Sequence, residues 1–159
     1  MYNTNISKEI LNWYDKNKRD LPWRKTNDPY KIWLSEVMLQ QTRVETVIPY
    51  YNNWLHNYKT IQSVAHANLD ELLKIWEGLG YYSRCKNFYY AAQIIHYKYN
   101  GIIPNQFDTF KSLPGVGHYI AGAVMSIAFN QPHPSIDGNH RRVISRILGI
   151  KNLSRYNKN

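Results

Sequence analysis

The chain has 159 residues, 43% hydrophobic and 19% charged, enough for one domain with a buried core and too little for two comfortable ones. That balance excludes a disordered segment and a coiled coil. Twenty Lys and Arg against eleven Asp and Glu leave a net charge of +9, and with 14 Tyr able to stack on bases the natural partner is a polyanion; a merely solubilising surface is the alternative.

The periodicity is helical nearly throughout. Ile6, Ile10, Trp13 and Tyr14 share one face of a first helix. Asp28-Pro29 supplies a cap and a proline at the first helical position for a second, with Tyr30, Trp33, Leu34, Val37 and Met38 on its apolar side. Thr42-x-x-Glu45 has the form of a capping box, opening a third helix with Val44, Val47, Ile48, Tyr51 and Leu55 inward. Asn68 caps a further start before Leu69, Leu72, Leu73 and Trp76, and Gly78 and Gly80 then break the chain. A long helix carries Phe88, Ala91, Ala92, Ile95 and Tyr99 in register and ends at Asn100-Gly101 and Pro104.

A short helix is predicted over residues 108–113, followed by the turn Pro114-Gly115-Val116-Gly117 and a helix with Ile120, Val124, Ile127 and Ala128 inward. A last helix starts near Gly138 with Val143, Ile144, Ile147 and Leu148 apolar, and a polar, basic tail occupies residues 151–159. With no alternating strand pattern of useful length, the expected class is all-α. Residues 119–129, the longest nearly apolar stretch, fall short of a bilayer span, and residues 1–10 lack the basic start and apolar run of a signal peptide, so an intracellular protein with no membrane partner is expected. Cys85 is the single cysteine, so neither a disulfide framework nor a self-contained cysteine metal site can be built.

Three features carry chemistry. The turn Leu113-Pro-Gly115-Val116-Gly117-His118 can expose backbone N–H groups beside the positive end of the next helix, where a phosphate oxygen binds without sequence readout; an ordinary helix connection has the same spacing. Residues 138–159 hold six basic side chains (Arg141, Arg142, Arg146, Lys151, Arg155, Lys158) and no acid, a positive segment suited to phosphates. Two carboxylates, Glu36 and Asp137, sit in contrasting settings. Glu36 lies about 60° from Trp33 on a helical wheel, so partial burial should raise its pKa. Asp137 directly precedes a helix, whose free N–H groups favour the ionised form. One carboxyl holding its proton and one remaining anionic is the arrangement that cleaves a glycosidic bond through an oxocarbenium-like state. A plain helix cap and a solvated helix residue would carry the same two letters.

Leu21-Pro-Trp-Arg24, Trp33-Leu-Ser-Glu-Val-Met-Leu-Gln-Gln-Thr42, Gly78-Leu-Gly-Tyr-Tyr-Ser-Arg84, Leu113-Pro-Gly-Val-Gly117 and Ile136-Asp-Gly-Asn139 occur in this order in one chain. Together, over about residues 10–149, they resemble the adenine DNA glycosylases of the MutY type, in the helix-hairpin-helix glycosylase superfamily. The resemblance implies a six-helix barrel over about residues 25–130 with the hairpin at 108–129, inside a unit spanning residues 1–150. It implies monofunctional removal of adenine mispaired with 8-oxoguanine or guanine in double-stranded DNA during base excision repair. By the same resemblance Glu36 matches the acid that protonates adenine at N7, and Asp137 the carboxylate that stabilises the sugar cation or bonds to it transiently. Tyr119 and Asn139 match polar helpers around that centre. Trp23 and Arg24 match positions near the extruded adenine, while Leu39, Gln41, Thr42 and Tyr81 match residues that fill the opened stack or contact the 8-oxoguanine side. Packing residues are the alternative for Trp23 and Tyr81.

Two departures from the family pattern bear on chemistry. Bifunctional relatives such as endonuclease III carry a lysine nucleophile two residues after the hairpin's last glycine, where this chain has Tyr119; Arg141 stands where some members have a lysine. Base removal without strand cleavage is therefore expected. The family also continues into a four-cysteine module holding a 4Fe-4S cluster and then a domain that verifies 8-oxoguanine; the cluster's ligands are absent here, and no cofactor is expected in this chain. The first helix would normally pack on that module, so Ile6, Ile10 and Trp13 should be exposed and weak self-association should follow. A non-catalytic DNA-binding remnant, clamping phosphates through the hairpin and the basic segment, is the alternative function; a purely structural helical module is the third.

Overall fold

The computed structural model describes residues 4–150, so the basic tail at 151–159 lies outside the described residues. These contain nine α-helices and no strand, the all-α class that the periodicity implies. In chain order they are α1 (Thr4–Asn17), a 3₁₀ turn (Pro22–Arg24), α2 (Pro29–Leu39), α3 (Val44–Asn57), α4 (Ile61–Ala65), α5 (Leu69–Trp76), α6 (Ser83–Lys98), α7 (Phe107–Lys111), α8 (His118–Phe129) and α9 (Gly138–Ile147).

Helix α2 is the hub, packing against α3, α6, α8 and the 3₁₀ turn. Its start follows from local chemistry: the Asp28 carboxylate accepts from the Tyr30 amide at 2.9 Å, and Pro29 occupies a position whose N–H would have no helical partner. Trp33 on α2 meets Phe88 of α6 at 4.4 Å between ring centroids and Phe110 of α7 at 5.2 Å. Behind them Trp54 stands edge-on to Trp76 at 5.6 Å, and its Nε1–H donates to the Tyr30 hydroxyl, which donates on to the Tyr58 carbonyl. Aromatic rings thus form the centre of the core; the polar ends of Trp54 and Tyr30 are satisfied internally, whereas the buried Trp33 Nε1–H has no hydrogen-bond partner among the described residues.

Several local expectations are corrected. Thr42 does not cap α3: the cap position is Arg43, with no side-chain bond, and the Thr42 hydroxyl instead accepts from Arg84 at 3.2 Å. A true capping box occurs where none was expected, at Thr60 and Ser63, opening the five-residue α4. On α3 the buried residues are Val47, Tyr51 and Trp54, whereas Val44, Ile48 and Leu55 are only half-buried. Ile127, in register with Val124 on α8, is exposed and borders a cavity, while its neighbours Ala128 and Phe129 pack against the core.

Two glycines set the approach to the site. Gly115 has φ +73°, the left-handed region, and a Cβ there would lie 2.7 Å from the Asn87 Cβ. Gly117 is extended at φ −83°, so the hairpin turn requires one special glycine, not the two that its spelling implies. On α8 a Cβ at Gly122 would fall 2.4 Å from the Pro134 carbonyl oxygen. That missing side chain lets the link after α8 cross the helix and bring Asp137 to its position.

Candidate active site

Glu36 lies on α2, in the turn after Trp33, half-buried at the edge of the core. Burial raises the pKa of its carboxyl; the Tyr119 hydroxyl, its hydrogen-bonding neighbour on α8, pulls the other way and is outweighed. Tyr119 in turn feels both carboxylates. Burial first, then the charges of Glu36 and Asp137, push its hydroxyl up to about 12, so it stays protonated and able to donate.

Asp137 is the cap of α9. Its Oδ1 accepts the His140 backbone N–H at 2.8 Å, and the His140 Nδ1 lies 2.7 Å from the same oxygen. Asn139 donates through Nδ2 to Oδ2 at 3.3 Å, while its own carbonyl oxygen accepts from Arg142 at 3.0 Å. The His140 amide bond is the largest influence on Asp137 and holds its carboxyl below the usual aspartate range, against a smaller opposing effect of burial. The two acids are therefore shifted in opposite directions, one by desolvation and one by donated hydrogen bonds.

Both line a single cleft of about 620 Å³, together with Leu39, Gln41, Tyr81, Tyr119 and Asn139. A second cavity of about 340 Å³ lies on the other side of Glu36 and Leu39, which border both; Trp23, Arg24 and Ile127 line it as well. Trp23 is buried and meets Tyr51 edge-on at 5.3 Å, so it packs in the core and borders the cavity at once. Arg24 is exposed, its guanidinium 5.3 Å from the centre of the Tyr14 ring. Gln41 and Tyr81 are both left-handed, at φ 57° and 49°, a conformation costing a non-glycine residue about 1 kcal/mol or more. Their loops both open on the cleft, and Tyr81 is exposed.

Five candidate residues stand apart from these cavities. Gly115, Val116, Gly117 and His118 form the turn between α7 and α8; Val116 is buried beneath it, and the other three are exposed. Thr42 follows Gln41 and is held by Arg84. Three residues of the cleft wall, Gln40, Ser83 and Arg84, were not anticipated from sequence. Arg84 is the notable one, buried with its guanidinium against oxygens of α2 and of Leu79 and Gly80. It closes the motif run Gly78–Arg84, but the run does not reveal these partners, which lie up to 47 residues away in the chain.

Among the described residues no group of three or more His, Cys, Asp or Glu is placed to hold a metal ion, and no helix is long and apolar enough to cross a membrane. A four-thiolate cluster does not fit this chain. Its one cysteine, Cys85, is fully buried on α6, where desolvation pushes the thiol up to about 12.

Relatives of known name share this sequence and fold. The adenine DNA glycosylase of Buchnera aphidicola subsp. Acyrthosiphon pisum is 46% identical over 149 residues, covering 93% of this chain and 43% of that protein. The adenine DNA glycosylase of Rattus norvegicus is 46% identical over 156 residues, 92% of this chain and 30% of that one, and that of Homo sapiens is 45% identical over 150 residues, 89% and 28%. The chain thus spans less than half the length of these curated relatives. A solved thermostable thymine-DNA glycosylase superposes with a TM-score of 0.81 at 31% identity, over 86% of this chain and 63% of that one. A non-covalent endonuclease III–DNA complex shares the fold, with a TM-score of 0.77 at 24% identity over 97% of this chain and 72% of that one. The model of the HhH-GPD superfamily of base excision DNA repair proteins matches residues 34–158, most of the chain, and the protein belongs to that superfamily.

Proposed function

We propose that this chain is the catalytic part of an adenine-specific, monofunctional DNA glycosylase, hydrolysing the N-glycosidic bond of adenine mispaired with 8-oxoguanine or guanine in duplex DNA. The observation that carries this reading is the single cleft bordered by two carboxyls of opposite acidity and by two left-handed residues, Gln41 and Tyr81. The names of the curated relatives support the choice of adenine.

A base inside a duplex is out of reach, so the adenine swings out of the stack and Gln41, Leu39 and Tyr81 occupy the space it leaves. The cavity bordered by Trp23, Arg24 and Glu36 receives the base. Glu36, whose carboxyl desolvation pushes above the ordinary glutamate range, gives its proton to adenine N7. The C1′–N9 bond then breaks with its electron pair going to the base. The resulting sugar cation is stabilised by the Asp137 carboxylate, which Asn139 and the His140 amide hold in place. Water adds at C1′ and gives up a proton to a cleft carboxylate, so adenine leaves and an abasic sugar remains. Tyr119, with its hydroxyl protonated, orients Glu36 and cannot serve as an amine nucleophile, so no imine to the sugar forms. The hairpin turn at Gly115–His118 and the arginines of α9 bind backbone phosphates.

The test is a single-turnover assay on duplexes containing A:8-oxoguanine, A:G and A:T. The reading predicts base release from the first two, none from the third, an abasic product without strand cleavage, and no adduct trapped by borohydride. Equal, salt-sensitive binding to all three duplexes with no base release would overturn it in favour of a DNA-binding remnant.

A further inference from the structure

The left-handed conformations of Gln41 and Tyr81 belong to two loops distant in sequence, and one side chain touches both. Arg84 Nη1 donates to the carbonyls of Val37, Met38 and Gln40 at 3.0, 2.8 and 2.6 Å. Its Nη2 donates to the Thr42 hydroxyl at 3.2 Å and to the carbonyls of Leu79 and Gly80 at 3.2 and 3.1 Å. The acceptors on Gln40 and Thr42 flank Gln41, and that on Gly80 belongs to the peptide leading into Tyr81. Only a planar fork can reach both loops at once, since a lysine ammonium is a single point. The guanidinium also sits 5.4 Å from the Tyr81 ring centre and 5.5 Å from that of Trp76, whose Nε1–H donates to the same Gly80 carbonyl. No carboxylate among the described residues forms an ion pair with Arg84. Its charge is met by backbone dipoles, including the last-turn carbonyls of α2, so the cation caps that helix as well.

We propose that Arg84 is a positioning residue that locks Gln41 and Tyr81 in their left-handed conformations, so that both side chains stand ready in the cleft before a base is extruded. The role in extrusion rests on the glycosylase reading above; the locking of the two loops does not. Arg84 touches no reacting atom in this scheme and acts through the two residues it holds.

The experiment compares the wild-type protein with Arg84→Lys. Amide hydrogen exchange should rise at least about tenfold at residues 41–42 and 81–82 and stay within about threefold across α3, α5 and α8. On a duplex carrying 2-aminopurine opposite 8-oxoguanine, the fluorescence rise that reports extrusion should be lost. The single-turnover rate on A:8-oxoguanine should fall on the order of 100-fold with its pH profile unmoved, because Glu36 is untouched. Adding Arg84→Lys to Tyr81→Ala should cost less than about threefold more, since the two changes act through one element. Unchanged exchange in both loops, or fully additive losses, would overturn the proposal. If Arg84→Lys does not fold, Thr42→Val removes one acceptor and should loosen residues 41 and 81 in the same direction; no change at Tyr81 would then overturn it. Absence of base release by the wild type would sink the glycosylase reading alone, because the exchange measurement still decides the role of Arg84.

Discussion

Glu36 stands on α2, where seven of eleven residues are buried, whereas Asp137 caps α9, where Ser145 is the one buried residue. The cleft thus has one wall fixed by the core and one fixed by a helix cap. Burial carries the Glu36 carboxyl upward because water is excluded from it; Asp137 goes downward because the start of a helix offers donors to a half-buried carboxylate. The lesson is that a split in acidity needs no special residue types. The same chemical group, placed once against packing and once against helix amides, is shifted in opposite directions.

The largest expected effect comes from removing the proposed proton donor. Glu36→Gln should lower single-turnover base release by about 10²- to 10⁴-fold while leaving DNA affinity near wild type. Asp137→Asn should cost about 10²- to 10³-fold in rate but little stability, because asparagine also accepts from helix amides. Equal and small losses in both variants would break the contrast between the walls.

Next in size is the difference in packing. Leu34 is fully buried on α2, and Leu34→Ala should destabilise by about 2–5 kcal/mol in chemical denaturation. Ile147 on α9 is 71% exposed, and Ile147→Ala should change stability by less than about 0.5 kcal/mol. The apolar side chains of α1 are equally uncovered, with Ile10 at 60% and Trp13 at 64%. Replacing Ile10 and Trp13 together by Lys should suppress any concentration-dependent association seen by sedimentation without lowering the melting temperature.

The smallest effect sharpens the electrostatic half of the comparison. The folded-state pKa of Glu36 lies above its unfolded value, so its favourable contribution is complete below the unfolded pKa and is lost as pH rises through the folded one. Glu36→Gln should therefore raise the melting temperature relative to wild type at neutral pH, and the gain should shrink as pH falls towards about 4. Asp137 has the opposite sign: its contribution is present above the unfolded pKa and fades as pH falls through the lower folded one.

What the sequence reveals follows the reach of each interaction. The caps at Asp28, Asn68 and Asp137 are legible because donor and acceptor lie within three residues of one another. Glu36 is legible from its angle to the apolar stripe, since burial on a helix follows its period. Thr42 misleads because its hydroxyl is claimed by Arg84, 42 positions on, in preference to the helix that follows it. The box at Thr60 is hidden because Ser63 stands where glutamate or glutamine usually does. Arg84 closes one of the quoted motif runs, but what it holds emerges only when two loops are brought together. The motif spelling locates Gln41 and Tyr81, but not the left-handed backbone that makes each of them protrude.

The opposite acidities of the two walls are tested most directly by a ¹³C-carboxyl NMR titration of the free protein, with Glu36→Gln and Asp137→Asn to assign the signals. The Glu36 carboxyl should titrate above the ordinary glutamate range and the Asp137 carboxyl below the ordinary aspartate range. Both groups titrating together at ordinary values, or Asp137 holding its proton to higher pH than Glu36, would contradict the account.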